Sequence, residues 1–225
     1  MSNFSKKLKV IVADDHSIFR LGLINILNQI PGIKQIDQAA DGVEVLNLLG
    51  QDSYDVIFLD IEMPVLNGIE TIQKVKANYP DVKVITLSMF SNENYIMEMY
   101  ERNTNGYLLK NTNLKQLKRA LEHVMDDQEY FCPEAAEVLF KRLVAKDKDK
   151  EDNTKEVEID LSERETEILL LICEQYSSVE IAEKLFIADN TVKRHRQKLI
   201  EKTGSKNLAG LVLFAIKHGI IQIPS

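Results

Sequence analysis

Short apolar runs alternate with amphipathic stretches through the first half of the chain. Leu8–Ala13 is apolar and strand-like, and Ser17–Gln29 then places Ile18, Leu21, Leu23, Ile26 and Leu27 at roughly helical spacing. Ile36–Ala39 predicts a short strand and Gly42–Leu49 a helix; Val56–Asp60 is a buried run of strand length, followed by a helix over Asn67–Asn78. Val82–Ser88 is a further strand, Asn92–Arg102 a helix and Gly106–Leu109 a short strand. Leu114, Leu117, Leu121 and Val124 mark the next helix at i, i+3, i+7 and i+10. Five strands alternating with five helices predict an α/β doubly wound five-stranded parallel sheet, helices on both faces. The continuous apolar strands fit burial on both sides.

The pattern changes after this point. Pro133–Val144 reads as a helix, while Ala145–Ile159 is charge-rich with no strong apolar anchor until Val157, as expected of a linker. From there on every periodic stretch is helical: Glu163–Glu174, Val179–Phe186, Thr191–Lys202 and Leu208–His218. Ser162 followed by Glu165 is a capping box for the first of them. The predicted organisation is residues 1–130 as one α/β domain, 131–159 as helix and charged linker, and 160–225 as an all-α four-helix domain.

A length of 225 residues suggests one large domain or two modest ones. The longest apolar runs, Ile168–Cys173 and Leu211–Ile216, fall far short of the ~20 residues of a membrane span. Asp14 and Asp15 directly follow Val10–Ala13, leaving no room for a signal peptide's apolar region. Cys132 and Cys173 form neither a C-x-x-C pair nor a Cys/His cluster, which speaks against a disulfide framework or zinc site. A cytoplasmic protein with two reduced thiols is expected.

Charge adds the first functional clue. The net charge is −7, yet residues 191–206 hold Lys193, Arg194, Arg196, Lys198, Lys202 and Lys206 against Glu201 alone. One compact basic segment on an acidic protein can bind an anion locally; a solvated charged helix face is the plainer alternative.

In an open parallel sheet, chemistry sits at the carboxyl ends of the strands. The predicted strands end there in Asp14-Asp15, Asp60, Ser88 and Lys110. Helix capping explains any one of these residues, but accounts poorly for three carboxylates, a hydroxyl and a lysine together. Clustered carboxylates need a cation, and oxygen ligands favour Mg²⁺ over zinc. One carboxylate is then available as a nucleophile toward phosphorus, with the lysine and hydroxyl neutralising phosphoryl oxygens. No G-x-x-x-x-G-K-[ST] loop is present, so the donor is not a P-loop-bound nucleotide.

Asp14-Asp15-His16, Leu59-Asp60-Ile61-Glu62-Met63-Pro64 with Asn67-Gly68, Leu87-Ser88, and Gly106-Tyr107-Leu108-Leu109-Lys110 together resemble the receiver domain of bacterial two-component response regulators, over about residues 8–127. The resemblance implies a flavodoxin-like fold with Asp60 as phosphoacceptor. It implies Mg²⁺ held by Asp15, Asp60 and the backbone carbonyl of Glu62, with Asp14 helping through water. Ser88 and Lys110 would bind the phosphoryl group, Tyr107 would be the aromatic switch that turns inward when Ser88 moves, and Glu62 and Phe90 would tune phosphoryl lifetime. Two departures stand out. Asn103-Thr104-Asn105 replaces a common Gly-Ala-x, where Asn tolerates a left-handed turn but Thr104 crowds the path of the switch hydroxyl. Asn111 follows Lys110 in place of proline, so a cis bond there would cost ~2.5–4 kcal/mol. His16 reads as a surface residue opening the first helix.

In the tail, Glu180-Ile181-Ala182 opens a short helix, and Ile187–Asn190 turns into Thr191–Lys202, the pattern of a helix-turn-helix with Asp189 as cap. At ~100° per residue Val192 and Leu199 face inward, with His195 near them; Lys193, Arg194, Gln197, Lys198 and Glu201 face outward. The outer side chains include the donors that base edges accept, and Arg196 is assigned to the flank, toward phosphate. The segments Leu161–Glu165, Glu180–Leu185, Thr191–His195 and Lys202-Thr203-Gly204 resemble the LuxR-type helix-turn-helix over roughly 160–221, which with the receiver defines the NarL/FixJ family. The resemblance implies base contacts from Lys193, Arg194 and Gln197, phosphate contacts around Thr191 and Lys206, and a dimer face on the last helix at Leu208, Leu211, Val212 and Ala215. Gln175 stands where a helix-ending glycine is usual, and Ala188 where a capping serine is usual.

The expected function is a phosphorylation-dependent transcription regulator. A sensor histidine kinase supplies the phosphoryl group, a homodimer forms on phosphorylation, and double-stranded promoter DNA is bound at paired half-sites; no membrane is involved. The chain acts as a stoichiometric phosphoacceptor with self-dephosphorylation, and not as a turnover enzyme. The rival readings are a phosphatase with Asp60 as nucleophile and Glu62 as acid, and a constitutive DNA-binding protein that uses the first domain only to dimerise.

Overall fold

The computed structural model describes residues 7–89, 92–148, 161–174, 176, 178–205 and 208–221. Phe90, Gln175, Lys206 and the linker beyond Lys148 lie outside the described residues. The chain divides into two compact units, Met1–Val138 and Leu139–Ser225.

The first unit is a parallel sheet of β1 (Leu8–Ala13), β2 (Ile33–Ala39), β3 (Val56–Asp60), β4 (Lys83–Ser88), β5 (Gly106–Leu109) and β6 (Tyr130–Phe131), in the order β2-β1-β3-β4-β5-β6. It alternates with α1 (Ser17–Leu27), α2 (Gly42–Gln51), α3 (Gly68–Asn78), α4 (Glu93–Glu101) and α5 (Leu114–Met125). The expected sheet had five strands. The sixth pairs Gly106 with Tyr130 and Tyr107 with Phe131. Two residues are too few to show a period-2 pattern, so only the pairing with β5 makes them a strand.

Every residue of β3 is buried, as are Val10, Ile11, Val12 and Ala13 of β1. Short polar side chains start the helices. Asp41 accepts from Val43 and Glu44 at α2, Asn67 accepts from Glu70 at α3, and Asn113 forms a capping box with Gln116 at α5; such caps are worth about 1 kcal/mol each. Asn103 takes a positive φ of 59°, the left-handed turn its side chain tolerates. No cis peptide bond occurs among the described residues.

α6 (Pro133–Lys148) runs four residues into the stretch read as linker. The helices that follow are α7 (Glu163–Cys173), α8 (Ser178–Leu185), α9 (Asp189–Thr203) and α10 (Leu208–Lys217). Their core gathers Ile168, Leu169, Ile172, Ile181, Val192, Leu199, Leu211, Phe214 and Ala215. The Ser162–Glu165 capping box is present. α9 begins earlier than expected: Ala188 is its N-cap without a side-chain bond, and Asp189 is its first residue, 3.0 Å from Lys193. Asp189 therefore contributes charge to the first turn instead of capping it. No helix among the described residues is long and apolar enough to cross a membrane.

Candidate functional site

At the carboxyl edge of the sheet, β1 delivers Asp14 and Asp15, β3 ends in Asp60, β4 in Ser88, and Lys110 follows β5. Asp14 is fully buried, Asp60 3% exposed and Ser88 5% exposed. Lys110 Nζ reaches back between the strands, 2.7 Å from Asp14 Oδ2 and 2.8 Å from Asp60 Oδ2. The Phe19 ring of α1 lies beneath the same ammonium, 4.9 Å from its centroid.

The electrostatics follow from this burial. Desolvation pushes the Asp60 carboxyl up to about 6; Lys110 and the Glu62 backbone N–H oppose the rise, and the charge of Asp14 adds to it. Burial alone would depress Lys110, but hydrogen bonds and charge from Asp14 and Asp60 outweigh it and hold its pKa above the ordinary value. Three carboxyl groups face one ammonium here, and the acidic donors are all oxygen, which fits a hard divalent cation such as Mg²⁺. Glu62 sits just after Asp60, its side chain exposed and 3.2 Å from the Tyr95 hydroxyl.

Gly68 supports the end of β3 from the side. A Cβ there would lie 2.0 Å from the Asp60 carbonyl oxygen, and Gly68 N–H donates to Ile61 O at 2.9 Å. Only a residue without a side chain lets α3 approach this closely. Sequence reasoning quoted Gly68 in a motif without seeing this role, and it missed Phe19; only the three-dimensional approach of α1 to Lys110 reveals the latter.

Tyr107 is fully buried, its hydroxyl hydrogen-bonded to Ser88, and burial pushes it up to about 12. The ring therefore already lies inside. The Thr104 hydroxyl pairs with Thr86 at 2.9 Å and reaches the carbonyls of Gly106 at 2.9 Å and Val84 at 3.1 Å. Satisfied by these acceptors, the hydroxyl packs in the core at no polar cost.

In the second unit, Arg194, Gln197 and Lys198 are exposed on α9, with Thr191 and Lys193 half-buried. Asn190, Thr191, Lys193, Arg194 and Gln197 line a concavity of about 420 Å³. Arg196 is a correction. It is 5% exposed, and its Nη2 donates to Tyr176 O at 3.1 Å. At ~100° per residue, position 196 falls only about 40° from Val192, on the inward stripe. Lys202 also turns away from the basic face, pairing with Glu165 Oε2 at 2.6 Å. On α10, Leu211 and Ala215 are fully buried in the unit's own core and so do not form a free dimer face. Val212 is half-buried, and the Leu208 side chain lies outside the described ones.

Residues 10–122 match the response regulator receiver domain, and residues 160–215 match the luxR family of bacterial regulatory proteins. The chain is 34% identical over 216 residues to the oxygen regulatory protein NreC of Staphylococcus carnosus, covering 96% of this chain and 100% of that protein. It is 33% identical to NreC of Staphylococcus aureus over the same shares. Among solved structures it is similar to the response regulator ChrA of a heme-sensing two-component system, at 30% identity and a TM-score of 0.52 over 96% of this chain and 99% of that one. It is also similar to RcsB of Salmonella enterica serovar Typhimurium bound to a promoter in the presence of phosphomimetic BeF3-, at 25% identity and a TM-score of 0.58 over 93% and 98%.

Proposed function

Because this chain belongs to the NarL/FixJ response regulators, which join a receiver to a LuxR-type helix-turn-helix, we propose how its own residues carry out phosphorylation-dependent transcription control. The family acts in two-component systems as transcription regulators and not as turnover enzymes. The observation that carries the residue assignment is Lys110 Nζ, held 2.7 Å from Asp14 and 2.8 Å from Asp60 at the strand ends.

Asp60 is the acceptor. A carboxylate oxygen attacks phosphorus and forms the new P–O bond. The bond from phosphorus to the imidazole nitrogen of a sensor histidine kinase breaks, and its electron pair leaves with the nitrogen. Asp14, Asp15 and Asp60, with the Glu62 carbonyl, would hold Mg²⁺, which when bound offsets the charge of the carboxylates and phosphoryl oxygens. Lys110 exchanges a carboxylate for a phosphoryl oxygen, and Ser88 gives up its bond to Tyr107 to donate to the phosphoryl group. The added charge, about −1.5 to −2, thereby acts on a tyrosine already packed inside, shifting an existing equilibrium. Glu62, exposed beside Asp60, tunes the water attack that returns the carboxylate in self-dephosphorylation.

Residues 1–130 form the receiver, 131–159 the connecting helix and linker, and 160–225 the DNA-binding domain. Lys193, Arg194 and Gln197 face base edges, while Thr191, Lys198 and Lys206 contact phosphate. Phosphorylated homodimers place two copies of α9 about one DNA turn apart on paired half-sites in the cytoplasm.

The test is intact mass after incubation with Mg²⁺ and acetyl phosphate, paired with DNA binding. One phosphoryl group on the wild type, none on Asp60→Ala, and donor-stimulated DNA binding in the wild type alone are the expected results. An adduct on Asp60→Ala, or equal stimulation of both proteins, refutes the assignment.

A further inference from the structure

His16 stands at the acidic pocket with no part in the phosphoryl chemistry. It occupies the N-cap of α1, yet its side chain makes no cap bond. Its backbone N–H donates to Asp14 Oδ1 at 2.9 Å, and ring Nδ1 turns back to lie 2.7 Å from Asp15 Oδ1 and 3.7 Å from Asp14 Oδ1. One ligand atom each from Asp14, Asp15, His16 and Asp60 lies within 4.8 Å of all the others. The set runs from a fully buried carboxylate, Asp14, to a solvent-facing ring, His16, whose side chain is 72% exposed. Ligands about 2.0–2.2 Å from one ion sit roughly 3–4 Å apart, so small rotations of the two outer side chains, Asp15 and His16, close the set.

The chemistry of the fourth donor differs from the other three. Carboxylate oxygens suit Mg²⁺, whereas an imidazole nitrogen suits cobalt, nickel and zinc. We propose that His16 is a metal ligand, and that it raises this pocket's preference for divalent transition cations over Mg²⁺. The proposal rests on the reading that Asp14, Asp15 and Asp60 hold a divalent cation. The oxygen donors serve Mg²⁺, and His16 Nδ1 joins them when the ion accepts nitrogen.

The test uses the full chain and the metals alone. Co²⁺ is titrated by its visible absorption and Mg²⁺ by calorimetry, on the wild type, His16→Ala, His16→Gln, Asp15→Asn and Asp60→Asn. His16→Ala and His16→Gln are expected to lose about tenfold or more in Co²⁺ affinity while Mg²⁺ affinity stays within about twofold, the pattern of one lost nitrogen ligand. The absorption should also lose its nitrogen-ligand signature in both variants. Unchanged Co²⁺ affinity and spectrum in the two His16 variants, with Mg²⁺ binding lost in Asp15→Asn, overturns the role of His16 and leaves the cation site standing. Mg²⁺ binding that survives in both Asp15→Asn and Asp60→Asn overturns the cation site itself, and the proposal with it.

Discussion

Replacing Glu165 by Gln tests how the recognition helix is anchored. The Glu165 carboxylate accepts from Lys202 Nζ at 2.6 Å and from Ser162 N and Oγ at 2.9 Å, tying the start of α7 to the end of α9. Lys202 first, and then the Ser162 N–H, hold this carboxyl down at about 2, against an ordinary value of 4.5. That drop sets a ceiling of about 3 kcal/mol on the preference for the ionised form. Lys202 is 42% exposed, so solvent screens the pair, and about 1–2 kcal/mol is the expected cost of Glu165→Gln at pH 7. A folded carboxyl held low contributes stability that is complete above pH 4.5 and fades as pH falls toward 2; roughly half or more of the gap between wild type and variant should be gone by pH 3. The assay is urea unfolding followed by far-UV ellipticity, with the helical unit's transition fitted separately. Lys202→Met and the double variant complete a thermodynamic cycle. A gap that is the same at pH 7 and pH 3, or single-variant effects that simply add, would refute the anchoring argument.

The other predictions concern both units. Gly68→Ala drives a Cβ to 2.0 Å from the Asp60 carbonyl oxygen; it should destabilise the receiver by about 1–3 kcal/mol or more and lower acetyl phosphate labelling, read by thermal unfolding and intact mass. Thr104→Val removes one hydroxyl of the buried pair with Thr86 and should cost about 1–3 kcal/mol in urea unfolding, since Thr86 loses its neighbour. Arg196→Met should destabilise the helical unit because Arg196 is 5% exposed. Lys198→Ala should leave stability unchanged, weaken DNA binding evenly across sequences, and reduce the salt slope by about one, read by binding isotherms at several salt concentrations.

Much of the architecture was legible because its signals are local. Val56–Leu59 is apolar throughout and lies fully buried between two strands. The helix starts at Asn67, Asn113 and Ser162 carry the side chains that close N–H groups. The segment Asn103-Thr104-Asn105 offers asparagines that tolerate a left-handed turn, and Asn103 takes φ 59°. The gathering of Asp14, Asp15, Asp60, Ser88 and Lys110 followed from one rule about strand ends, because parallel strands must finish on a common edge. What escaped was set by neighbours distant in sequence. β6 is too short to have a period of its own and exists only through β5. Leu211 and Ala215 look like a free apolar face until α7 packs against them. Arg196 looks like part of a basic surface until its guanidinium meets the Tyr176 carbonyl.

The sequence by itself determined the alternation of strands and helices, the acidic pocket at the strand ends and the basic helix of the tail, since periodicity and order along the chain suffice for each. Tertiary structure alone decided that Lys110 bridges Asp14 and Asp60, that Tyr107 lies inside against Ser88, that His16 turns back toward the carboxylates, and that Lys202 serves α7 and not the basic face. The physical reason is that a long polar side chain has several partners within reach. Which one it takes depends on the burial and charge that folding brings around it, and those arise from residues tens of positions away.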